Sequence, residues 1–209
     1  MTASPRASAA DLHPSRRSIG SAISPAEFRS LFRGHPSGVA VITATGPGGP
    51  VALTASSVSS VSADPPLLVF SVSAISSATP TILAADSVVV HLLDADDIDL
   101  ARLGATSGVD RFADAQSWAP LPTGEPVFRG VRAWVRGAVV SRMDAGGSTI
   151  IAAHAVQAHI ARDADSPAGG DALVFHNRTW HRLGEHSRVG ETSAHRPHAA
   201  ESTVRSGRP

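Results

Sequence analysis

The sequence predicts a mainly β protein, an antiparallel barrel with two or three short helices. About eight segments rich in β-branched and apolar residues follow one another at short intervals, separated by turns rich in glycine and proline. The composition agrees with this, because 42% of the residues are hydrophobic and only 17% are charged. Much of the polar surface must then come from serine, threonine and backbone groups. This spacing favours a barrel over a parallel α/β sheet.

The first elements are a short helix and a hairpin. Ser24, Pro25 and Glu27 form the pattern of a capped helix start and predict a helix that ends near Arg33. Alternating residues predict the first strand that follows, a glycine-proline turn leads into the second, and a proline break separates the third from the fourth. These predicted strands cover residues 38–45, 51–57, 58–62 and 67–72.

The second half continues the same pattern. Thr79 and Pro80, interpreted as a cap and a first helical residue, predict a short helix through about Ala85. The acidic run Asp94–Asp99 lacks the glycine and the distal glutamate of a calcium loop and fits the start of a helix. The long irregular segment from 105 to 127 is of a kind that is usually functional. The remaining predicted strands cover residues 88–93, 130–141, 148–161, 171–176 and 179–183.

The chain of 209 residues is long enough for one domain with a real core. Residues 1–21 and 185–209 are rich in small, polar and arginine residues and contain few large apolar side chains. Such segments cannot bury enough surface to offset the entropy of ordering, so both are predicted to be disordered tails. The predicted domain covers residues 22–184.

Three residue types are missing, and their absence excludes several chemistries. All 18 basic residues are arginines, and the chain has no cysteine and no tyrosine. A Schiff-base lysine, a thiolate nucleophile, a cysteine-ligated metal and a phenolic acid are therefore excluded. The net charge of +0 gives no general attraction to nucleic acid or to an anionic membrane. No apolar run is long enough to span a membrane, and a cytoplasmic location is expected.

Two hydroxyl-rich segments are the main candidates for a binding site. Residues 54–62 carry six hydroxyl groups among nine residues, which suits either close approach of a planar ligand or an exposed polar strand. In residues 73–80, serines immediately precede a predicted helix start, where unpaired N–H groups favour an anion such as phosphate.

Other familiar sites are poorly supported. The chain has no G-x-S-x-G nucleophile motif. His154 and His159 are an odd number of residues apart on a predicted strand, so they are expected on opposite faces and unable to share a metal ion. His176 and His181 flank the last predicted hairpin, where a core or rim position is the simpler interpretation. No metal site is predicted.

Four stretches taken together resemble the flavin reductase-like family. They are FRGHPSGVAVIT (32–43), ALTASSVSSVSADPP (52–66), SSATP (76–80) and GVDRF (108–112). The resemblance implies an FMN-binding split barrel of antiparallel Greek-key type and a homodimer with flavin bound near the subunit interface. It also implies NAD(P)H-dependent reduction of FMN or FAD, with the reduced flavin passed to a partner monooxygenase.

The resemblance also assigns residues. Thr54, Ala55 and Ser56 match family positions that contact the isoalloxazine and ribityl groups, and Ser57 belongs to the same run. Further flavin contacts are implied for Ser60 and Val61, phosphate contacts for Ser76 and Ser77, and nicotinamide contacts for Gly147 and Ser148. No residue is predicted to be catalytic, because a flavin carries the hydride chemistry itself.

The sequence is also compatible with other functions. Family members commonly have Gly-Asp-His-Thr where this chain has Gly146-Gly147-Ser148-Thr149. That difference favours an alternative function, an FMN-binding carrier or sensor without efficient nucleotide oxidation. A third alternative is an oxidase related to the pyridoxamine-phosphate oxidases, which share the barrel. The absence of lysine makes tight binding of pyridoxal phosphate less natural. Arg111 or Arg178 is a candidate to face phosphate or the N1 atom of reduced flavin, and a surface role is equally compatible with either.

Overall fold

A computed structural model of the protein describes residues 22–162 and 170–189. Within these ranges the chain forms three α-helices, α1 Pro25–Arg33, α2 Thr79–Ala84 and α3 Ile98–Ala105. The strands are β1 Ser37–Gly38, β2 Ala40–Gly46, β3 Gly49–Ala55, β4 Ser59–Ala63, β5 Pro66–Ser73, β6 Ser87–Leu92, β7 Trp118–Pro120, β8 Pro126–Phe128, β9 Ala133–Asp144, β10 Ser148–Ile160, β11 Ala172–His176 and β12 Thr179–Leu183. Short 3₁₀ turns cover Ala95–Asp97 and Glu185–Ser187.

A seven-stranded antiparallel sheet is the centre of the fold, with the strand order β3-β2-β6-β9-β10-β5-β4. The sheet curls around one apolar core, to which β2, β3, β5, β6, β10 and α2 all contribute buried side chains. Ile42, Phe70 and Ile151 are among its largest fully buried residues. The prediction of a mainly β barrel with short helices is confirmed.

A serine side chain links β3 to β5, where the two ends of the curled sheet approach each other. The Ser57 hydroxyl, just after β3, accepts a hydrogen bond from the Ser71 N–H at 3.0 Å and donates one to the Ser71 carbonyl at 3.2 Å. Ser71 lies on β5, near the opposite end of the sheet order. One serine therefore replaces a rung of backbone pairing where β3 and β5 approach each other.

A second apolar cluster covers the outer face of the barrel. It combines residues of β2 and β3 with α3, β8 and β11, and it includes Val41, Ala101 and Phe128. His91 on β6 lies under this layer and is fully buried. Its ring joins the layers, because Nδ1 lies 2.9 Å from the Val41 carbonyl and Nε2 accepts from the Phe128 N–H at 3.0 Å. This layer fixes the position of α3 and of the loop that follows it.

The predicted elements are found near their expected bounds, and the capping box of α1 is present. The Ser24 hydroxyl accepts from the Glu27 N–H at 3.2 Å, and the Glu27 carboxylate accepts from the Ser24 N–H at 2.8 Å. The strands β1, β7 and β8 are additional, since pieces of two or three residues carry no periodic signal. The Asp94 carboxylate pairs with Arg132 at 3.0 Å and with Arg162 at 3.4 Å.

Two local predictions are wrong. Thr79 is not the cap of α2, because the N-cap residue is Ala78 and the Thr79 hydroxyl donates to the Ser73 carbonyl at 2.7 Å. His154 and His159 do not lie on opposite faces. A bulge at residue 156 shifts the register, so that these histidines pair with Ala138 and Trp134 on one face of β9.

The predicted tails fall mostly beyond the described ranges. Residues 1–21 lie outside them, as do residues 190–209, and of the predicted C-terminal tail only residues 185–189 are described. Among the described residues, no helix is long and apolar enough to cross a lipid bilayer.

Candidate functional site

The two hydroxyl-rich segments meet in one open cleft of about 650 Å³. The end of β3 forms one wall, β5 and the loop after it form another, and the C-terminal end of α3 closes the third side. The predicted residues that line this cleft are Thr54, Ala55, Ser56, Ser57, Ser76 and Ser77, together with Ser148. Segments about twenty residues apart in the chain therefore converge on one volume.

Three of the predicted site residues do not line the cleft. Ser60 and Val61 lie on β4 with exposed side chains, and their contacts with flavin stay a prediction. Gly147 lies beside the cleft, where its carbonyl accepts a hydrogen bond from the Ala74 N–H at 3.0 Å. The predicted nicotinamide contacts of Gly147 and Ser148 likewise stay a prediction.

The hydroxyl groups of the cleft divide into two sets. Thr54 donates to the Ala101 carbonyl at 2.6 Å and so ties β3 to α3, and Ser57 is engaged with Ser71. These two groups shape the walls. Several other cleft serines, among them Ser56 and Ser77, make no side-chain hydrogen bond within the described residues, so their hydroxyls remain available to a ligand.

The start of α2 offers few free N–H groups to an anion. The helix has six residues, and the N–H groups of Ala78 and Thr79 are both engaged with Ser76, at 3.4 Å and 3.1 Å. Helix N-termini attract anions only through unpaired N–H groups. A positive group for an anion must therefore come from elsewhere in the cleft.

Arg111 is the positively charged side chain at the cleft. It is the one ionisable side chain among the described residues that line the cleft. Its Nη2 donates to the Thr106 carbonyl at 2.6 Å, which fixes the side chain, while its Nε is buried and has no partner in the described structure. A buried donor without a partner is costly, so this nitrogen points to an anionic ligand. Arg178, the other candidate that the sequence offered to face the phosphate or the flavin N1 atom, lines a separate groove.

The loop that carries Arg111 is held by an aromatic cluster. The Phe112 ring stacks on Phe128 with ring centroids 5.2 Å apart and meets Trp118 edge-on at 5.0 Å. The Trp118 indole N–H donates to the Phe112 carbonyl at 3.1 Å, and the Asp110 carboxylate accepts from the Phe112 N–H at 2.9 Å. These contacts fix the part of the irregular segment that carries Arg111, and its functional role stays a prediction.

Sequence reasoning missed the contribution of the α3 end. Gly104, Ala105, Ser107 and Gly108 line the cleft beside Thr54. The only available signal was the length of the irregular segment that starts at residue 105. Small residues at this point leave the backbone open to a ligand.

Gly104 packs directly on β3, and this contact supports a stability prediction. A Cβ there would overlap the Thr54 hydroxyl and lie 3.1 Å from the Thr54 N atom. We expect Gly104→Ala to lower the free energy of unfolding by about 1–3 kcal/mol, because the Thr54 hydroxyl must leave its bond to Ala101 or α3 must shift. Urea denaturation followed by tryptophan fluorescence measures this.

Gly48→Ala is the matched control, because nothing lies within 4 Å of a Cβ at Gly48. It should change the free energy of unfolding by less than about 0.5 kcal/mol. Equal stability of the Gly104→Ala variant and the wild type would show that α3 and β3 are not tightly packed at this edge of the cleft.

Comparison with known proteins shows which family the whole domain resembles. Residues 32–184 match the flavin reductase like domain. The chain is 37% identical over 164 residues to an NADH:FMN oxidoreductase of Rhodococcus erythropolis, an alignment that covers 78% of this chain and 84% of the relative.

Solved structures agree. BorF, the flavin reductase component of a bacterial two-component tryptophan halogenase, is 31% identical with a TM-score of 0.66, covering 77% of this chain and 98% of that one. The NADH:FAD oxidoreductase SgcE6 of Streptomyces globisporus C-1027, solved with NAD and FAD fragments, is 26% identical with a TM-score of 0.69. That match covers 81% of this chain and 100% of SgcE6. All of these relatives are named as flavin-reducing proteins.

Proposed function

The chain belongs to the flavin reductase-like family, and from this premise we propose that it is an NAD(P)H-dependent flavin reductase whose flavin, FMN or FAD, binds in the cleft beside Arg111. The observation that carries the proposal is the convergence of two hydroxyl-rich segments on a single arginine, Arg111, in one cleft. The Rhodococcus relative, named for NADH and FMN, supports this activity.

The residues of the cleft fit a flavin. A flavin mononucleotide has a phosphate at one end, and the Arg111 guanidinium with the Ser77 hydroxyl offers donors to such an anion. Ser56 and Ala55, on the β3 side, are small enough to let a planar ring approach the backbone. The fit therefore extends over both parts of the ligand.

The protein's own part in the reaction is binding and orientation. When flavin is bound it supplies the redox chemistry, accepting a hydride from the nicotinamide nucleotide. The described cleft is lined by hydroxyls, apolar residues and Arg111, with no carboxylate or imidazole. Arg111 and Ser77 hold the phosphate end, while Thr54 and Ser57 keep the walls in place through their bonds to Ala101 and Ser71. No side chain is required to move a proton.

Anaerobic mixing tests the function. Full-length protein with FMN is mixed with NADH and, separately, with NADPH, and flavin absorbance is followed in the absence of oxygen. We expect bleaching with at least one nucleotide, at a rate that rises with protein concentration. Tight FMN binding without bleaching by either nucleotide would contradict a reductase and would favour the carrier or sensor alternative.

We also propose that reduced flavin leaves for a partner monooxygenase. BorF supports transfer to a second component, since it is named as one half of a two-component halogenase. The open form of the cleft is compatible with release of the flavin. Coupled product formation by a monooxygenase that depends on added reductase would test this transfer.

A homodimer and a cytoplasmic location complete the proposal. Apolar side chains are exposed on the two longest strands, Val140 and Met143 on β9 and Val156 and Ile160 on β10. These exposed side chains are candidates for a contact between two copies of the chain. Light scattering should give twice the chain mass of 21.4 kDa, and a single species of chain mass would contradict the dimer.

A further inference from the structure

A second groove opens beside the cleft, between α1 and the hairpin of β11 and β12. We call it the basic groove and define it by Phe28, Arg29, Phe32, Arg33, His35 and Arg178. It has a volume of about 310 Å³ and shares Ser56 with the flavin cleft. A hydrogen bond of 2.9 Å from the Asn177 N–H to the Arg33 carbonyl joins its two sides. A ligand can therefore extend from the cleft into the groove past Ser56.

The groove carries aromatic surface that the fold leaves uncovered. Phe28 and Phe32 are 52% and 58% exposed, and none of the described residues of α1 is buried. Their ring centroids lie 4.7 Å apart, and the Phe32 ring meets the His35 ring edge-on at 6.2 Å. Rings clustered in this way offer a stacking surface for a planar ligand.

The groove is also positive. Arg29, Arg33 and Arg178 line it and no carboxylate does, and within the described ranges none of these arginines forms an ion pair. Arginine guanidinium groups match phosphate oxygens in geometry and charge. Aromatic rings beside several arginines together favour a ligand that combines a planar base with phosphates.

We propose that the basic groove binds the adenosine diphosphate half of the nicotinamide nucleotide while the nicotinamide end lies in the flavin cleft. This inference rests on the proposed function. Arg33 and Arg178 bind the pyrophosphate, and Phe32 with His35 receives the adenine. Ser56, common to both spaces, marks the crossing point.

Kinetics with a full and a truncated substrate tests the proposal. Arg33→Gln, Arg178→Asn and the double variant are compared with wild type, using NADH and reduced nicotinamide mononucleotide, which lacks the adenylate half. Asparagine is chosen because residue 178 has a φ of 64°, which asparagine tolerates well. Each single variant should raise the KM for NADH about tenfold and leave kinetics with the mononucleotide unchanged. Arg188→Gln, an exposed charge outside the groove, should change neither.

Calorimetry with ADP-ribose gives a readout that does not depend on turnover. Wild type should bind ADP-ribose, and the double variant should bind it about a hundredfold more weakly. An unchanged KM for NADH, equal losses with both substrates, or unchanged ADP-ribose affinity would overturn the inference. A change in oligomeric mass in the variants would also overturn it, by showing that the groove is a contact between copies. If the wild type oxidises neither NADH nor reduced nicotinamide mononucleotide, the proposed function fails. Calorimetry with ADP-ribose still tests whether the basic groove binds the adenosine diphosphate half.

Discussion

Arg111→Gln should weaken FMN binding about 30-fold, or roughly 2 kcal/mol, while leaving riboflavin binding almost unchanged. The phosphate that distinguishes FMN from riboflavin is the part expected to meet the guanidinium. Arg111 is the one ionisable side chain of the described cleft lining, and its buried Nε has no other partner there. Fluorescence titration of each flavin with full-length protein measures both affinities.

Arg102→Gln is a suitable control, because it removes an exposed arginine that pairs with Asp99 on α3. It should bind FMN like the wild type. A parallel loss of FMN and riboflavin affinity in Arg111→Gln would show that the residue supports the loop and not the phosphate. Arg111→Lys should recover part of the affinity for FMN, since it restores the charge without the planar fork.

The second large effect is a loss of stability in mild acid, caused by His91. Burial lowers the pKa of His91 to about 4, against the small opposing effect of its bond to the Val41 carbonyl. Its two ring nitrogens are satisfied by the neutral form, with Nδ1–H donating to Val41 and Nε2 accepting from the Phe128 N–H. A protonated Nε2 would face that N–H without an acceptor.

The direction of the pH effect follows from proton uptake. In the unfolded chain a histidine takes up a proton near pH 6.5, whereas folded His91 does so only near pH 4. Between these values the unfolded state binds more protons, so stability falls as pH falls. The loss between about pH 7 and about pH 4 should reach about 3 kcal/mol.

Urea denaturation over this pH range, in wild type and in two variants, measures the effect. His91→Gln should be less stable at neutral pH and should show a shallower fall with acid. His186→Gln, at an exposed site, should keep the wild-type slope. An identical pH slope in wild type and His91→Gln would contradict the account of this buried ring.

The fold was largely predictable because its signals are local. The glycine-proline turn between β2 and β3, the β-branched run of β6 and the capping box at Ser24 each depend on neighbouring residues. Errors arose where distant contacts decide the outcome. The bulge at residue 156 reversed the expected facing of His159 relative to His154, and no local pattern marks that extra residue.

The site was predictable in part. Hydroxyl-rich sequence identified Ser56 and Ser77, but sequence alone did not show that the Thr54 and Ser57 hydroxyls would be engaged with backbone groups. The sequence also offered no reason to prefer Arg111 over Arg178 as the residue that faces the flavin. The fold separates them, since Arg111 lines the cleft and Arg178 lines the basic groove.

A crystal structure of the full chain with FMN is the most direct test of the central claim. We predict the phosphate within hydrogen-bond distance of the Arg111 guanidinium and the Ser77 hydroxyl, with the ring against the end of β3 at Ala55 and Ser56. A phosphate bound away from Arg111, or a flavin seated in the basic groove, would contradict the assignment of this cleft.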